Sequence, residues 1–147
     1  RSIRLVAPTW NVREASNGET AIRLVEEEPF DLIFCDMYMA SVEKQLLGTE
    51  TVAELRNGGY TGRIVGLSAN DKEREFLDAG ADAFLFKPMP CEVEALKETL
   101  IRILHHDSTY RKSLRLQQQQ SQQQQQQQDE VLFGNRKTDD SDLLLDF

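Results

Sequence analysis

The sequence predicts an α/β domain, a doubly wound parallel sheet with helices on both faces, followed by a disordered C-terminal tail. Three observations carry that expectation. Strand-like and helix-like stretches alternate up to about residue 104, which is the pattern of a parallel sheet built through right-handed crossovers. The strand-like runs are continuously apolar, as strands covered on both faces are. A glutamine run from Gln117 to Gln128, broken once by Ser121, then separates this region from a short acidic end.

Each element follows from its residues in turn. Ser2 to Val6 reads as the last turns of a helix that ends before Pro8, because the residue ahead of a proline disfavours helical geometry. Trp10 to Ala15 alternates enough for a short strand, and Ser16-Asn17-Gly18 supplies turn and capping chemistry. A helix follows, with Ala21, Ile22, Leu24 and Val25 on its apolar side, Glu26-Glu27-Glu28 in water and Pro29 as its stop. Phe30 to Asp36 is a buried strand ending on a carboxylate.

After a loop from Met37 to about Leu47, Thr49 to Arg56 reads as a helix with Val52 and Leu55 inward, closed by Asn57-Gly58-Gly59. Arg63 to Ser68 is the next buried strand. Asn70 and Glu73 have capping-box spacing for a helix that Gly80 ends, and Ala81 to Phe86 is the last strand. Val93, Leu96, Leu100 and Ile103 recur at helical steps and fade at His105-His106. Those adjacent histidines point to different sides of a helix and are assigned no site.

Composition narrows the function classes. The formal charge is −8 with no concentrated basic patch, which argues against direct nucleic-acid binding. No apolar run approaches the roughly 18 residues that a membrane span needs. Cys35 and Cys91 lack paired metal-ligand spacing and no signal peptide is visible, so both are expected as reduced thiols in a cytoplasmic or nuclear protein. Without a glycine-rich phosphate loop, a small nucleotide-binding enzyme is disfavoured.

In a sheet of this kind, reactive groups gather at the carboxyl ends of the strands. Asp36, Ser68 and Lys87 each close an apolar run there. An acid, a hydroxyl and an ammonium converging on one edge can carry phosphoryl chemistry: the carboxylate attacks phosphorus, the lysine pairs with an equatorial oxygen and the hydroxyl bonds another. Any one of the three alone is more often a cap or a rim residue.

Phe34-Cys35-Asp36-Met37-Tyr38-Met39, Gly66-Leu67-Ser68-Ala69 and, most specifically, the run from Ala79 to Pro88 together resemble the receiver domain of response regulators. Asn17-Gly18-Glu19-Thr20-Ala21 resembles the start of that family's second helix, so the match runs from about Arg1 to Leu104 and lacks only the front. The resemblance implies a flavodoxin-like fold and a phosphorelay receiver, taking a phosphoryl group from a histidine kinase or a histidine phosphotransfer protein. It makes Asp36 the phosphoacceptor, Lys87 its counter-ion, Ser68 the switch hydroxyl and Phe84 the aromatic that changes rotamer with it, unless Phe84 is ordinary core. It also implies a cis Lys87-Pro88 bond. Such a chain is a switch whose chemistry is at most self-catalysed phosphotransfer and dephosphorylation. The parent protein is a stand-alone regulator or a longer hybrid kinase.

The sequence departs from the family twice. Ala40 stands at the usual proline, and Gly48 and Glu50 come about four residues late, so part of Ser41 to Leu47 is an insert. More seriously, the family holds Mg2+ with an acidic pair at the end of its first strand, the acceptor, and a backbone carbonyl that is here that of Tyr38. No such pair precedes Trp10, which leaves Asp36 and the Tyr38 carbonyl to hold a metal weakly or not at all. That first strand lies inside the sheet in the order 2-1-3-4-5. The run at Trp10 to Ala15 must then pair wrongly, shift inward or hang with unpaired backbone, so the chain is expected to be a fragment or a defective variant. A sharp cooperative transition in heat or urea counts against this expectation. The loss of the pair also favours the alternative reading, a pseudo-receiver that works as a protein-interaction module without being phosphorylated.

Three segments are expected: residues 1–106 as a receiver truncated at its N-terminus, 107–128 as linker and glutamine tract, and 129–147 as an acidic-hydrophobic disordered tail. The tract is expected to be disordered or weakly helical. Asp139 to Phe147 mixes acids with bulky apolar residues, as either a solvated end or a short docking motif.

Overall fold

The computed structural model describes residues 2–39 and 46–139. The chain divides into two compact units, Arg1–Tyr110 and Arg111–Phe147. The first runs α1 (Ser2–Val6), α2 (Gly18–Glu27), β1 (Leu32–Asp36), α3 (Gly48–Asn57), β2 (Arg63–Ser68), α4 (Glu73–Asp78), β3 (Ala83–Phe86) and α5 (Val93–His105). The sheet has three strands in the order β1-β2-β3, both pairs parallel. The second unit consists, among the described residues, of α6 (Thr109–Asp139), which begins in the first unit and contains the whole glutamine tract.

Local chemistry explains most boundaries. Asn17 caps α2 by accepting the Thr20 N–H at 2.8 Å, and the Glu50 carboxylate accepts the Leu47 N–H at 2.7 Å at the start of α3. Gly80, at φ +106, carries the chain out of α4 in a conformation that side chains resist. Register puts Ile33, Ile64, Cys35, Gly66 and Phe84 on one sheet face. There they build the main core with Met37, Val52, Leu55, Phe76 and Ala81. Gly66 is required because a Cβ at that position would collide with the Phe76 ring. Val65 is fully buried on the opposite face, and Leu96, Leu100 and Ile103 of α5 are buried outside the first cluster. Burial on both faces is why the strands read as unbroken apolar runs.

Three expectations need correction. Trp10 to Ala15 is not a strand: of the three outcomes expected for it, it takes the one without sheet pairing, its residues mostly exposed and Arg13 bridging to Glu28 at 3.1 Å. The Asn70–Glu73 capping box does not form. The Asn70 N–H is turned back to Ser68 Oγ, and the Glu73 N–H is taken by Asp71. The last strand starts at Ala83, because Asp82 leaves the apolar pattern to serve as a buried acceptor. Ala40 and Ser41 to Gln45 of the insert, and Asp140 to Phe147 of the acidic end, lie outside the described residues.

One polar network is buried with this core. Asp82, fully buried, accepts from Arg56 Nη2 at 3.0 Å, the Ile64 N–H at 2.9 Å and Ser108 Oγ at 2.6 Å. Arg56 also donates to the carbonyls of Gly80, Tyr60 and Gly62 and lies 3.7 Å over the Tyr110 ring. The network joins α3, the entries to β2 and β3, and the first residues after α5.

Candidate functional site

The carboxyl edge of the sheet assembles the site. Asp36 is the last residue of β1, Ser68 the last of β2, and Lys87 follows β3. Parallel register sets their depth: Asp36 is opposite Leu67, Ser68 is opposite Phe86, and the Lys87 N–H continues the ladder to the Ser68 carbonyl at 2.9 Å. Lys87 Nζ reaches Asp36 Oδ2 at 2.6 Å. The other oxygen, Oδ1, accepts the Tyr38 N–H at 3.3 Å. The two side chains are 32% and 39% exposed for Asp36 and Lys87 respectively, so the carboxylate is open to solvent while the ammonium stays beside it. The Lys87-Pro88 bond is cis.

Ser68 is 1% exposed, and its Oγ accepts the Asn70 N–H at 3.1 Å. No described bond joins Ser68 Oγ to the Asp36 or Lys87 side chain. Phe84 lies against the core, its ring 5.9 Å from Phe76 and in edge contact with Phe86 at 5.1 Å. Phe86 itself is 56% exposed. The structure thus brings the Asp36 and Lys87 side chains into contact, and no described side-chain bond ties Ser68 or Phe84 to that pair.

Two supports of the Asp36 carboxylate had little signal in the sequence. Gly48 donates its N–H to the Met37 carbonyl at 2.9 Å, and a Cβ there would strike the Asp36 carbonyl and the Met37 backbone. Only a glycine lets α3 start this close to Asp36. We expect Gly48→Ala to push the loop off Asp36 and lower the thermal midpoint by several degrees, about 1–3 kcal/mol of overpacking, as read by thermal denaturation.

Next to Asp36 in the chain, Cys35 is buried and its thiol donates to the Gly48 carbonyl at 3.4 Å. Burial, and then the charge of Asp36, pushes that thiol from 9.0 up to about 12. The folded value is raised, so this group's contribution to stability is complete below about pH 9 and is lost as pH rises toward 12. At neutral pH a thiol-alkylating reagent should label the exposed Cys91 in native protein and leave Cys35 unmodified until urea is added. Labelling of both at equal rates, followed by peptide mass analysis, would contradict this.

A magnesium ion, implied by the sequence resemblance, would meet few donors at this site. They are the Asp36 carboxylate, already accepting from Lys87 and Tyr38, and the Tyr38 carbonyl. Among the described residues no three His, Cys, Asp or Glu side chains cluster to hold a metal ion. Mg2+ demands near-octahedral oxygen coordination, and one engaged carboxylate with one carbonyl does not fit it.

A model of the response regulator receiver domain matches residues 3–101. The chain is 38% identical over 97 residues to the nitrate/nitrite response regulator protein NarL of Escherichia coli, covering 64% of this chain and 40% of that one. It is 34% identical over 100 residues to the transcriptional regulatory protein ZraR of Salmonella typhimurium, covering 66% of this chain and 21% of that one. The chain therefore spans less than half the length of these relatives. Among solved structures it is similar to the chemotaxis protein CheY4 of Vibrio cholerae at TM-score 0.57 and 27% identity, over 69% of this chain and 84% of that one. It is also similar to full-length ShkA, at TM-score 0.53 and 36% identity over 64% and 19% of the two chains.

Proposed function

The chain belongs to the response regulator receiver domain family, and from that premise we propose that it is a phosphorelay receiver that takes a phosphoryl group on Asp36. Receiver domains of response regulators interact in general with histidine kinases or histidine phosphotransfer proteins, and either is the donor class proposed for this chain. The observation that carries the reading is the 2.6 Å contact between Lys87 Nζ and a partly exposed Asp36 carboxylate, made across two strand boundaries at the sheet edge where a donor can reach it.

In the proposed step, an oxygen of Asp36 attacks the phosphorus of a phosphohistidine in line. The P–N bond breaks, and the imidazole leaves with the electron pair and picks up a proton from water. The product is an acyl phosphate on Asp36. The carboxylate is already ionised and needs no base. Lys87 balances the charge that grows on the phosphoryl oxygens. Ser68 then releases the Asn70 N–H and donates to a phosphate oxygen, and Phe84 turns inward into the space it leaves. Receiver domains in general use Mg2+ to neutralise phosphoryl charge, and a weak or absent metal site in this chain slows the transfer without changing the acceptor. The proposed setting is the cytoplasm, in a regulator or a hybrid kinase, and no described helix is long and apolar enough to cross a membrane.

A second reading has its own support. The donor set that fails to fit Mg2+ favours a pseudo-receiver, an interaction module that is never phosphorylated. Incubation with a small phosphodonor and Mg2+ separates the two. A hydroxylamine-sensitive acyl phosphate on the peptide containing Asp36 establishes the receiver, and intact unlabelled protein under conditions that label a complete receiver leaves the interaction module.

A further inference from the structure

α6 is 31 residues long, which is about 45 Å of helix. Residues 115–134 of it are all exposed, Val131 at 64% and Leu132 at 63% among them. The helical period gathers Gln117, Gln120, Gln124, Gln128 and Val131 on one face. Arg111, Lys112, Arg115, Asp129 and Glu130 all stand at least about a third of a turn from the centre of that face. One side of the helix is therefore uncharged along the whole glutamine tract. The two ends differ in sign: 111–116 holds three bases and no acid, whereas 129–147 holds six acids and two bases.

A face made of side-chain amides is selective. Against a lipid surface or an apolar helix each amide loses its water and gains no hydrogen bond. A strongly charged partner finds no charge there to pair with. Another row of glutamines does satisfy it, because every amide carries both donors and an acceptor while its methylenes pack. A second copy of this chain presents that row. Laid antiparallel, it also sets the basic end of each helix beside the acidic end of the other and opposes the two helix dipoles, whereas a parallel pair brings like charges together at both ends. With the crossing centred on Gln122, Arg115 of each copy comes level with Asp129 of the other, and Lys112 with Glu130 within one turn. We propose that the uncharged face of α6 is a self-docking surface, through which two copies of this chain pair as antiparallel helices. The pairing is separate from the Asp36 carboxylate and does not rest on its phosphorylation.

Sedimentation of the full chain over a range of concentrations tests this, with helical circular dichroism recorded on every variant. The expected result is a reversible monomer–dimer equilibrium that added salt weakens. Gln124→Lys, which charges the face, should raise the dissociation constant at least about tenfold, and Gln122→Lys, on the opposite side of the same helix, should leave it unchanged. Reversing the acidic end with Asp129→Lys and Glu130→Lys should also weaken the dimer at least about tenfold, and adding Lys112→Glu and Arg115→Glu to the same chain should restore it. A monomer at every concentration overturns the proposal, as do irreversible large assemblies in place of a dimer. Equal effects of Gln124→Lys and Gln122→Lys remove the face, and a dimer indifferent to the charge reversal removes the antiparallel order; either overturns it as well.

Discussion

Asp36→Asn removes all labelling by a small phosphodonor, while Lys87→Ala retains the acceptor and labels about 10²- to 10³-fold more slowly. The difference between the two is the physical content of the prediction. Asparagine keeps the shape of the side chain and an oxygen for Lys87 Nζ, now 2.6 Å from Asp36 Oδ2, but its amide is no nucleophile. Alanine at position 87 leaves the nucleophile and deletes one pre-placed charge, a loss of the size seen when a single donor is taken from a transition-state pocket. Lys87→Arg should recover only part of the rate, because a planar guanidinium does not replace a point charge held against one carboxylate oxygen. Rates of acyl-phosphate formation measured on the folded variants check the series, with equal labelling of wild type and Asp36→Asn as the contrary result.

The second large effect concerns stability. Asp82→Ala should lower the unfolding free energy by about 3–5 kcal/mol in urea denaturation, because it leaves the Arg56 guanidinium, 8% exposed, without its buried carboxylate. It also removes the carboxylate that accepts from the Ile64 N–H and the Ser108 hydroxyl. Against a total of about 5–15 kcal/mol for a domain, that change approaches unfolding. Asp82→Asn keeps an acceptor oxygen and should cost less. Arg74→Ala breaks a pair whose side chains are 94% and 76% exposed and should leave the transition where it was. If Asp82→Ala and Arg74→Ala behaved alike, the buried network would have no special weight.

How much of this was legible depended on whether the cause was local. The apolar runs at Leu32 to Asp36 and Arg63 to Ser68 announced parallel strands, since covering both faces leaves no polar alternation. The helix beginning at Gly48 was legible from Val52 and Leu55, and the contact of Asp36 with Lys87 followed from two charged residues closing apolar runs. Trp10 to Ala15 misled because strand propensity counts for nothing without a neighbouring strand to pair with. The roles of Gly48 and Asp82 were hidden for a different reason. Each depends on what approaches from a distant part of the chain, the Asp36 carbonyl in one case and Arg56 with Ser108 in the other. The acid within an otherwise apolar stretch, Ala81-Asp82-Ala83-Phe84, was the one clue on offer.

Lys87 and Asp36 are 51 positions apart in the chain, and the structure joins them only through β2 between their strands. No nascent or half-assembled polypeptide therefore presents the carboxylate together with its ammonium, since every intervening crossover must close first. If Asp36 is the phosphoacceptor, as proposed, a misassembled copy that lacks this pair stays silent instead of sending a false message.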